Sequence, residues 1–187
     1  VFFVACGGSL ASSYPARILI NRESKSIFAD GYNSNEFVHA LPKSVGKNTL
    51  VVCTSTKATP ETVQAIRVAN EAGAVTLGLS GSANSLTSQT AQKSLVYCHA
   101  DEWYEHPELV HCNSQGTALK LAFRLIKNID NYTYYRNAME SFKVLETIYA
   151  EAYEKVKPRC VKFALDYQND KIWNVLASGA AWESAYS

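Results

Sequence analysis

Five short apolar runs that alternate with helical or loop segments constrain the fold of this chain more than any other feature. They occupy residues 1–6 (VFFVAC), 26–30 (SIFAD), 49–53 (TLVVC), 75–79 (VTLGL) and 94–98 (SLVYC). A run such as Leu50 to Cys53, which is apolar without alternating, is typical of a strand covered on both faces. Strands that alternate with helices at this spacing indicate βαβ units. The sequence therefore predicts an α/β fold with a parallel, doubly wound sheet.

The pattern becomes helical after the fifth run. Three helical segments lie between about residues 114 and 169, with the sequences TALKLAFRLIKNI, AMESFKVLETIYAEAYEKV and PRCVKFALDY. Pro158 is predicted to separate the last two, because proline interrupts helices. A strand-like run, KIWNVLASG, begins at residue 171. We therefore expect three helices followed by a new strand.

The third apolar run leads into an unusual turn, TSTKAT, at residues 54–59. Its six positions hold Lys57 and four hydroxyl side chains, those of Thr54, Ser55, Thr56 and Thr59. Ligands bind at the carboxyl ends of strands in open parallel sheets, and the first N–H groups of a helix favour an anion. The pattern predicts a phosphate site. The alternative is a Ser/Thr-rich loop that only caps its helix.

The helix after this turn is predicted from its ends and its periodicity. Thr59 suits the N-cap and Pro60 the first helical position, and we expect the helix to end at Gly73. Its buried face is expected to carry Val63, Ile66 and Ala69.

Composition excludes several function classes. The 187 residues are 47% hydrophobic and 19% charged, with a net charge of +1, so neither nucleic acid nor an anionic membrane is an expected partner. No apolar stretch approaches the roughly 20 residues of a membrane span. The opening VFFVA is too short for a signal-peptide core, and because it lacks Met we expect the natural N-terminus to lie upstream.

The cysteines indicate a reducing compartment. They number five and show no CxxC spacing. Cys6, Cys53 and Cys98 lie in strand-like runs. Buried reduced thiols in a cytoplasmic protein are the simplest interpretation.

Two further groups of side chains invite a functional interpretation. Residues of metal-ligand types cluster at Cys98, His99, Glu102, Glu105, His106, His111 and Cys112. Their spacing matches neither HExxH nor paired CxxC, so we expect loop residues in preference to a zinc site. The aromatic run Tyr132, Tyr134 and Tyr135 lies between helices, and we expect it to pack at domain or dimer contacts.

The late strand-like run repeats the beginning of the chain. When FVACGGSLASSY (residues 3–14) is placed over VLASGAAWESAY (residues 175–186), four positions are identical, at alanine, glycine, serine and tyrosine. The matches fall at the same strand, glycine turn and helix start. They suggest a tandem repeat of one unit, of which the second copy has just begun.

Three motifs together resemble the first half of a two-repeat SIS (sugar isomerase) protein: the opening strand with ACGGSLASSYPA, the segment YNSNEF at residues 32–37, and TSTKATPET. The likeness is greatest to the fructoselysine-6-phosphate and fructose-asparagine-6-phosphate deglycases, relatives of the isomerase domain of glucosamine-6-phosphate synthase. It implies a three-layer α/β/α fold with a five-stranded parallel sheet and tandem SIS domains. It also implies a homodimer or larger assembly in the cytoplasm. No metal or redox cofactor is implied.

The resemblance also assigns domains and site residues. It places a phosphosugar-binding SIS domain at residues 1–132, connecting helices at 133–169 and the start of a second SIS domain at 170–187. The substrate and phosphate site would consist of Gly7, Gly8, Ser9, Thr54, Ser55, Thr56 and Thr59. Lys57 stands where the family usually has glycine, and lysine would fit poorly if the backbone there needed positive φ.

No catalytic residue is assigned to this chain. Relatives move a proton between C1 and C2 of a phosphorylated ketosugar adduct, and the resemblance implies that the Glu and His responsible come from the second repeat. NEFVH, with Glu36 and His39, looks like the first-repeat copy of the His loop, but we expect a surface or interface histidine. Glu183 lies too early in its helix to replace the missing Glu.

The expected function is therefore the phosphosugar-binding half of a deglycase or isomerase that acts on fructosamine 6-phosphate-type adducts. Two alternatives stay open. One is the isomerase domain of a glutamine-dependent aminotransferase, which would need an upstream glutaminase domain. The other is a non-catalytic phosphosugar sensor of a transcriptional regulator, which would need a DNA-binding segment.

Overall fold

A computed structural model describes residues 1–97 and 113–181. Its centre is one sheet of five parallel strands in the order β2-β1-β3-β4-β5. The strands are β1 (Phe2–Ala5), β2 (Asp30–Asn33), β3 (Leu50–Thr54), β4 (Val75–Ser80) and β5 (Lys93–Val96). The predicted α/β class and parallel sheet are confirmed.

Helices cover both faces of this sheet. They are α1 (Gly7–Ala11), α2 (Tyr14–Glu23), α3 (Ser34–His39), α4 (Pro60–Glu71), α5 (Leu86–Thr90), α6 (Ser114–Asp130) and α7 (Tyr135–Asp166), with a 3-10 turn at Gly179–Ala181. None of the helices in the described ranges is apolar over a length that could cross a bilayer.

Two separate hydrophobic clusters show why the fold has three layers. Successive side chains of a strand point to opposite faces, so Phe3 and Val4 of β1 enter different clusters. Phe3 packs with α2 and α6 through buried residues that include Ile20 and Ile126. Val4 packs with α3 and α4 through buried Phe37, Ile66 and their neighbours. The implied α/β/α arrangement is thus confirmed.

Helix α4 begins and ends where its sequence predicts. Thr59 is the N-cap, Pro60 begins the helix and the predicted apolar face is buried. Gly73 follows the C-terminus with φ +80°, in the left-handed region that glycine adopts without a Cβ penalty. Its N–H donates to the Asn70 carbonyl at 3.0 Å, which closes the last turn.

The second strand lies later than predicted. Residues 26–29 form a loop, and the strand spans Asp30–Asn33, in register with Phe2–Ala5 of β1. The loop is held by Asn21, whose side chain donates to the Ala29 carbonyl at 2.8 Å and accepts from the Ala29 N–H at 2.7 Å. Because these bonds satisfy the Ala29 backbone, sheet pairing starts only at the next residue.

The predicted interruption at Pro158 is wrong. A single helix, α7, runs from Tyr135 to Asp166 with Pro158 inside it. A proline removes one N–H donor and can bend a helix, but the neighbouring turns keep their own hydrogen bonds. The helix therefore continues past it.

The strand predicted from residue 171 is not formed. Residues 172–178 have no regular structure, because a strand needs a partner and none is present beside them in the described part of the chain. The backbone then takes a left-handed conformation at Gly179 (φ +60°) and a helical turn, as it does at Gly7 (φ +52°) and α1. These two glycines are aligned in the repeat found in the sequence.

Candidate functional site

The candidate site lies where the strand order reverses. Strand β1 has β2 on one side and β3 on the other, and the helices that follow β1 and β3, α2 and α4, pack on opposite faces of the sheet. Such switch points at the carboxyl ends of strands form the ligand crevice of open α/β sheets. Ala5 and Thr54 are register partners at these ends. The GGS segment at residues 7–9 and the hydroxyl turn at residues 54–59 therefore start from neighbouring positions.

Two of the four hydroxyls in the turn bond to each other. The Ser55 Oγ accepts the Thr59 N–H at 2.9 Å, and the Ser55 and Thr59 hydroxyl oxygens are 3.1 Å apart. Thr59 therefore occupies the predicted N-cap position without capping the helix through its side chain. Ser55 is buried and its own N–H donates to the Leu79 carbonyl at 3.0 Å. These bonds tie the turn to the sheet and hold its shape.

The other two hydroxyls have different surroundings. Thr54 is buried at the end of β3, and its hydroxyl makes no hydrogen bond to any described residue. The Thr56 hydroxyl oxygen lies 2.6 Å from the hydroxyl oxygen of Tyr97, which follows β5. Thr54 and Thr56 are therefore placed by the fold and not by bonds within the turn.

The backbone of the turn offers hydrogen-bond donors. Within the described ranges, the N–H groups of Thr56, Lys57 and Ala58 have no acceptor. Successive free N–H groups in a turn before a helix make a concave site that favours anions. Lys57 is exposed beside them and adds a positive charge. This combination of uncharged donors and one nearby cation is suited to an anion.

The backbone at Lys57 does not have the positive φ that lysine would fit poorly. The positive φ in this turn is at Ala58 (+53°), not at Lys57. Lysine therefore occupies its position without left-handed strain. Alanine takes up the conformation that glycine would adopt more readily.

The GGS segment faces open space. Gly7 follows β1 with φ +52°, which permits the immediate change from strand to helix. A Cβ added to Gly7 or Gly8 would meet no described atom within 4 Å. Ser9 lies one residue further in α1, where its carbonyl accepts from the Ser12 hydroxyl at 2.9 Å. The fold therefore brings Gly7, Gly8 and Ser9 to the same edge as the hydroxyl turn.

The remaining candidates are not part of this arrangement. Glu36 and His39 are exposed on the short helix α3. The residues from Cys98 to Cys112 lie outside the described residues, and no metal-binding group of three or more ligands occurs in the described ones. Burial raises the pKa of the Cys53 thiol, so Cys53 is a core residue and not a nucleophile.

Tyr97 was not among the site residues predicted from the sequence, although it contacts the hydroxyl turn. The residue is 4% exposed and belongs to the core cluster of α2 and α6, while its hydroxyl reaches Thr56. Burial raises the pKa of Tyr97, an effect that the bond to Thr56 partly offsets. Its place in the fifth apolar run, SLVYC, near the carboxyl end of a predicted strand, was the available signal, because all strands of a parallel sheet end at one edge. The contact itself needed the order of the strands.

Comparison with known proteins finds relatives that match all or nearly all of this chain. No protein-family model matches the chain. The chain is 34% identical over 188 residues to the fructosamine deglycase FrlB of Bacillus subtilis, an alignment that covers 100% of this chain and 56% of that protein. It therefore spans little more than half the length of this relative.

Solved structures of phosphosugar isomerases are also similar to this chain over nearly its whole length. The crystal structure of a candidate phosphosugar isomerase from Bacillus subtilis has a TM-score of 0.92 and 34% identity, over 99% of this chain and 55% of that one. A second, from Salmonella typhimurium, has a TM-score of 0.89 and 29% identity, over 98% and 55% of the two chains. The C-terminal domain of glucosamine-fructose-6-phosphate aminotransferase from Francisella tularensis shares the fold at 16% identity, with a TM-score of 0.75 over 98% and 52%.

The fold, the switch-point site and these similarities agree with the resemblance noted in the three sequence motifs. The chain belongs to the SIS (sugar isomerase) family.

Proposed function

We propose that this chain is the phosphosugar-binding half of a SIS deglycase or isomerase. The observation that carries the proposal is the turn at residues 54–59, at the switch point of the sheet, where the Thr54 hydroxyl and the N–H groups of residues 56–58 have no partner among the described residues. Thr54 and Thr56 would donate to the phosphate, and Ser55 and Thr59 would hold the turn. Gly7, Gly8 and Ser9 would approach the sugar.

The substrate class follows from relatives. The name of the Bacillus subtilis protein, fructosamine deglycase, supports an Amadori-type adduct, which we propose to be a fructosamine 6-phosphate. The reaction would move a proton between C1 and C2, which requires a group that takes a proton from carbon and one that assists ring opening. We assign these groups to a second SIS repeat that begins at about residue 170, after connecting helices at 133–169. Residues 1–132 would then form the first SIS domain.

Two other functions fit the same fold. A glutamine-dependent aminotransferase would carry a glutaminase domain, and the Francisella tularensis structure shares only the fold. A phosphosugar sensor would carry a DNA-binding segment. The natural full-length sequence would distinguish these three functions by the presence or absence of a glutaminase domain and a DNA-binding segment.

The homodimer or larger assembly implied by the family is likewise a proposal. Exposed apolar side chains along α7 support it, at Val144, Ile148, Val156, Val161 and Leu165. Large exposed apolar patches often mark interaction sites, so these side chains are candidates for such a contact.

Phosphate binding can be tested by calorimetry. Glucose 6-phosphate should bind the chain, and glucose should bind much more weakly. Replacing Thr54 and Thr56 by alanine should weaken glucose 6-phosphate binding by about 1 to 3 kcal/mol, because hydrogen bonds to a charged group are lost. Thr133→Ala, at an exposed threonine between α6 and α7, is the control and should leave the affinity unchanged. Equal affinities for the native chain and the double variant would remove the phosphate from this turn.

A further inference from the structure

We infer that Tyr97 is a positioning residue for the phosphate site and acts through the hydroxyl of Thr56. This inference rests on the proposed phosphate binding and adds to it a residue that follows another strand, β5. Tyr97 lies 41 residues from Thr56 in sequence, and its hydroxyl oxygen is 2.6 Å from the Thr56 oxygen. The bond joins the last strand of the sheet to the turn after β3.

The direction of this hydrogen bond follows from the chemistry of the ligand. Phosphate oxygens accept hydrogen bonds, so Thr56 must donate its single hydroxyl hydrogen to the phosphate. The Thr56 oxygen is then free to accept, and Tyr97 must be the donor to it. The resulting order is Tyr97 hydroxyl to Thr56 hydroxyl to phosphate oxygen, in which each bond polarises the next.

The bond also fixes the orientation of Thr56. This side chain is only partly buried and has no other hydrogen bond among the described residues. Tyr97, in contrast, is packed into the core cluster with Phe3, Ile20 and Ile126. A rigid donor thus holds the hydroxyl of a side chain that would otherwise rotate. The ligand then meets an oriented donor and loses less entropy on binding.

Tyr97→Phe separates positioning from packing, because phenylalanine keeps the ring in the core and removes only the hydroxyl. We expect glucose 6-phosphate binding to weaken by about 3- to 10-fold, as measured by calorimetry. The test is a double-mutant cycle with Thr56→Ala. Tyr97→Phe should weaken binding in the native background and in Thr56→Ser, which keeps the hydroxyl, but should have no further effect in Thr56→Ala.

A purely structural tyrosine would give a different result. Tyr97→Phe would then lower the free energy of unfolding in urea and leave the affinity unchanged, or would act equally with and without the Thr56 hydroxyl. Either result overturns the inference while leaving phosphate binding intact. If the native chain does not bind glucose 6-phosphate at all, the proposed function fails and this inference fails with it.

Discussion

At the scale of single residues, the turn at 54–59 shows how a strained position can stand beside an unstrained one. Ala58 has φ +53°, whereas Lys57 is not in the left-handed region. A residue with a Cβ pays about 1 to 2 kcal/mol for that conformation, and glycine does not. The family glycine that Lys57 replaces is therefore not needed at its own position.

The two residues form a matched pair of substitutions. Ala58→Gly should raise the free energy of unfolding by about 0.5 to 1 kcal/mol, because relief of the left-handed strain exceeds the added freedom of the unfolded chain. Lys57→Gly should lower it by about 0.4 to 1 kcal/mol, because only the entropy term remains. Urea denaturation measures both. Stabilisation by Lys57→Gly and not by Ala58→Gly would place the positive φ one residue earlier.

At the scale of elements, one carboxylate joins the end of α6 to the loop between α2 and β2. Asp130, the last residue of α6, accepts hydrogen bonds from the Ser24 and Ser26 hydroxyls and from the Lys25 and Ser26 N–H groups. These bonds, led by those from the two serines, lower the pKa of Asp130 to about 2. They join segments more than 100 residues apart in sequence and close the layer formed by α2 and α6.

This arrangement predicts a pH dependence. The folded pKa of Asp130, about 2, is below the ordinary value of 3.8, so the carboxylate stabilises the fold above about pH 4 and loses this effect as the pH falls towards 2. The unfolding free energy of the native chain should exceed that of Asp130→Asn at pH 7, and the difference should shrink between pH 4 and pH 2.

Urea denaturation across this pH range tests the prediction. Asp170→Asn, at an exposed aspartate after α7, is the control and should show no such trend. A difference between native chain and Asp130→Asn that stays constant down to pH 2 would show that the charge of Asp130 does not stabilise this connection.

At the scale of the whole molecule, the first part of the chain buries many of its apolar side chains and the long helix α7 buries almost none of its own. Residues 1–97 and α6 form the described five-stranded sheet and the helices on its two faces, whereas much of α7 exposes apolar side chains. The glycine turn at residue 179 then repeats the conformation found at residue 7. This order fits our proposal of a first SIS domain, connecting helices and the start of a second domain.

Because this proposal assigns phosphate binding to the first repeat and the proton-transfer groups to the second, it predicts that the chain alone is inactive. The 187 residues alone should bind hexose 6-phosphate yet release no glucose 6-phosphate from fructosamine 6-phosphates. General acid–base groups typically contribute about 10² to 10⁴-fold to a rate, and we assign both groups to the second repeat. A coupled assay of glucose 6-phosphate release measures this. Turnover that disappears in His39→Ala or Glu36→Ala would show that the chemistry belongs to the first repeat.

The fold class, the boundaries of α4 and the position of the hydroxyl turn could be predicted from the amino-acid sequence alone. These depend on local causes: apolar runs without alternation, an N-cap threonine followed by proline, and a glycine at the helix end. The tertiary structure decided the start of β2, the continuity of α7 through Pro158, and the place of the positive φ at Ala58. It also decided that Tyr97 meets Thr56, because that contact depends on strand order, which brings residues 41 positions apart to one edge of the sheet.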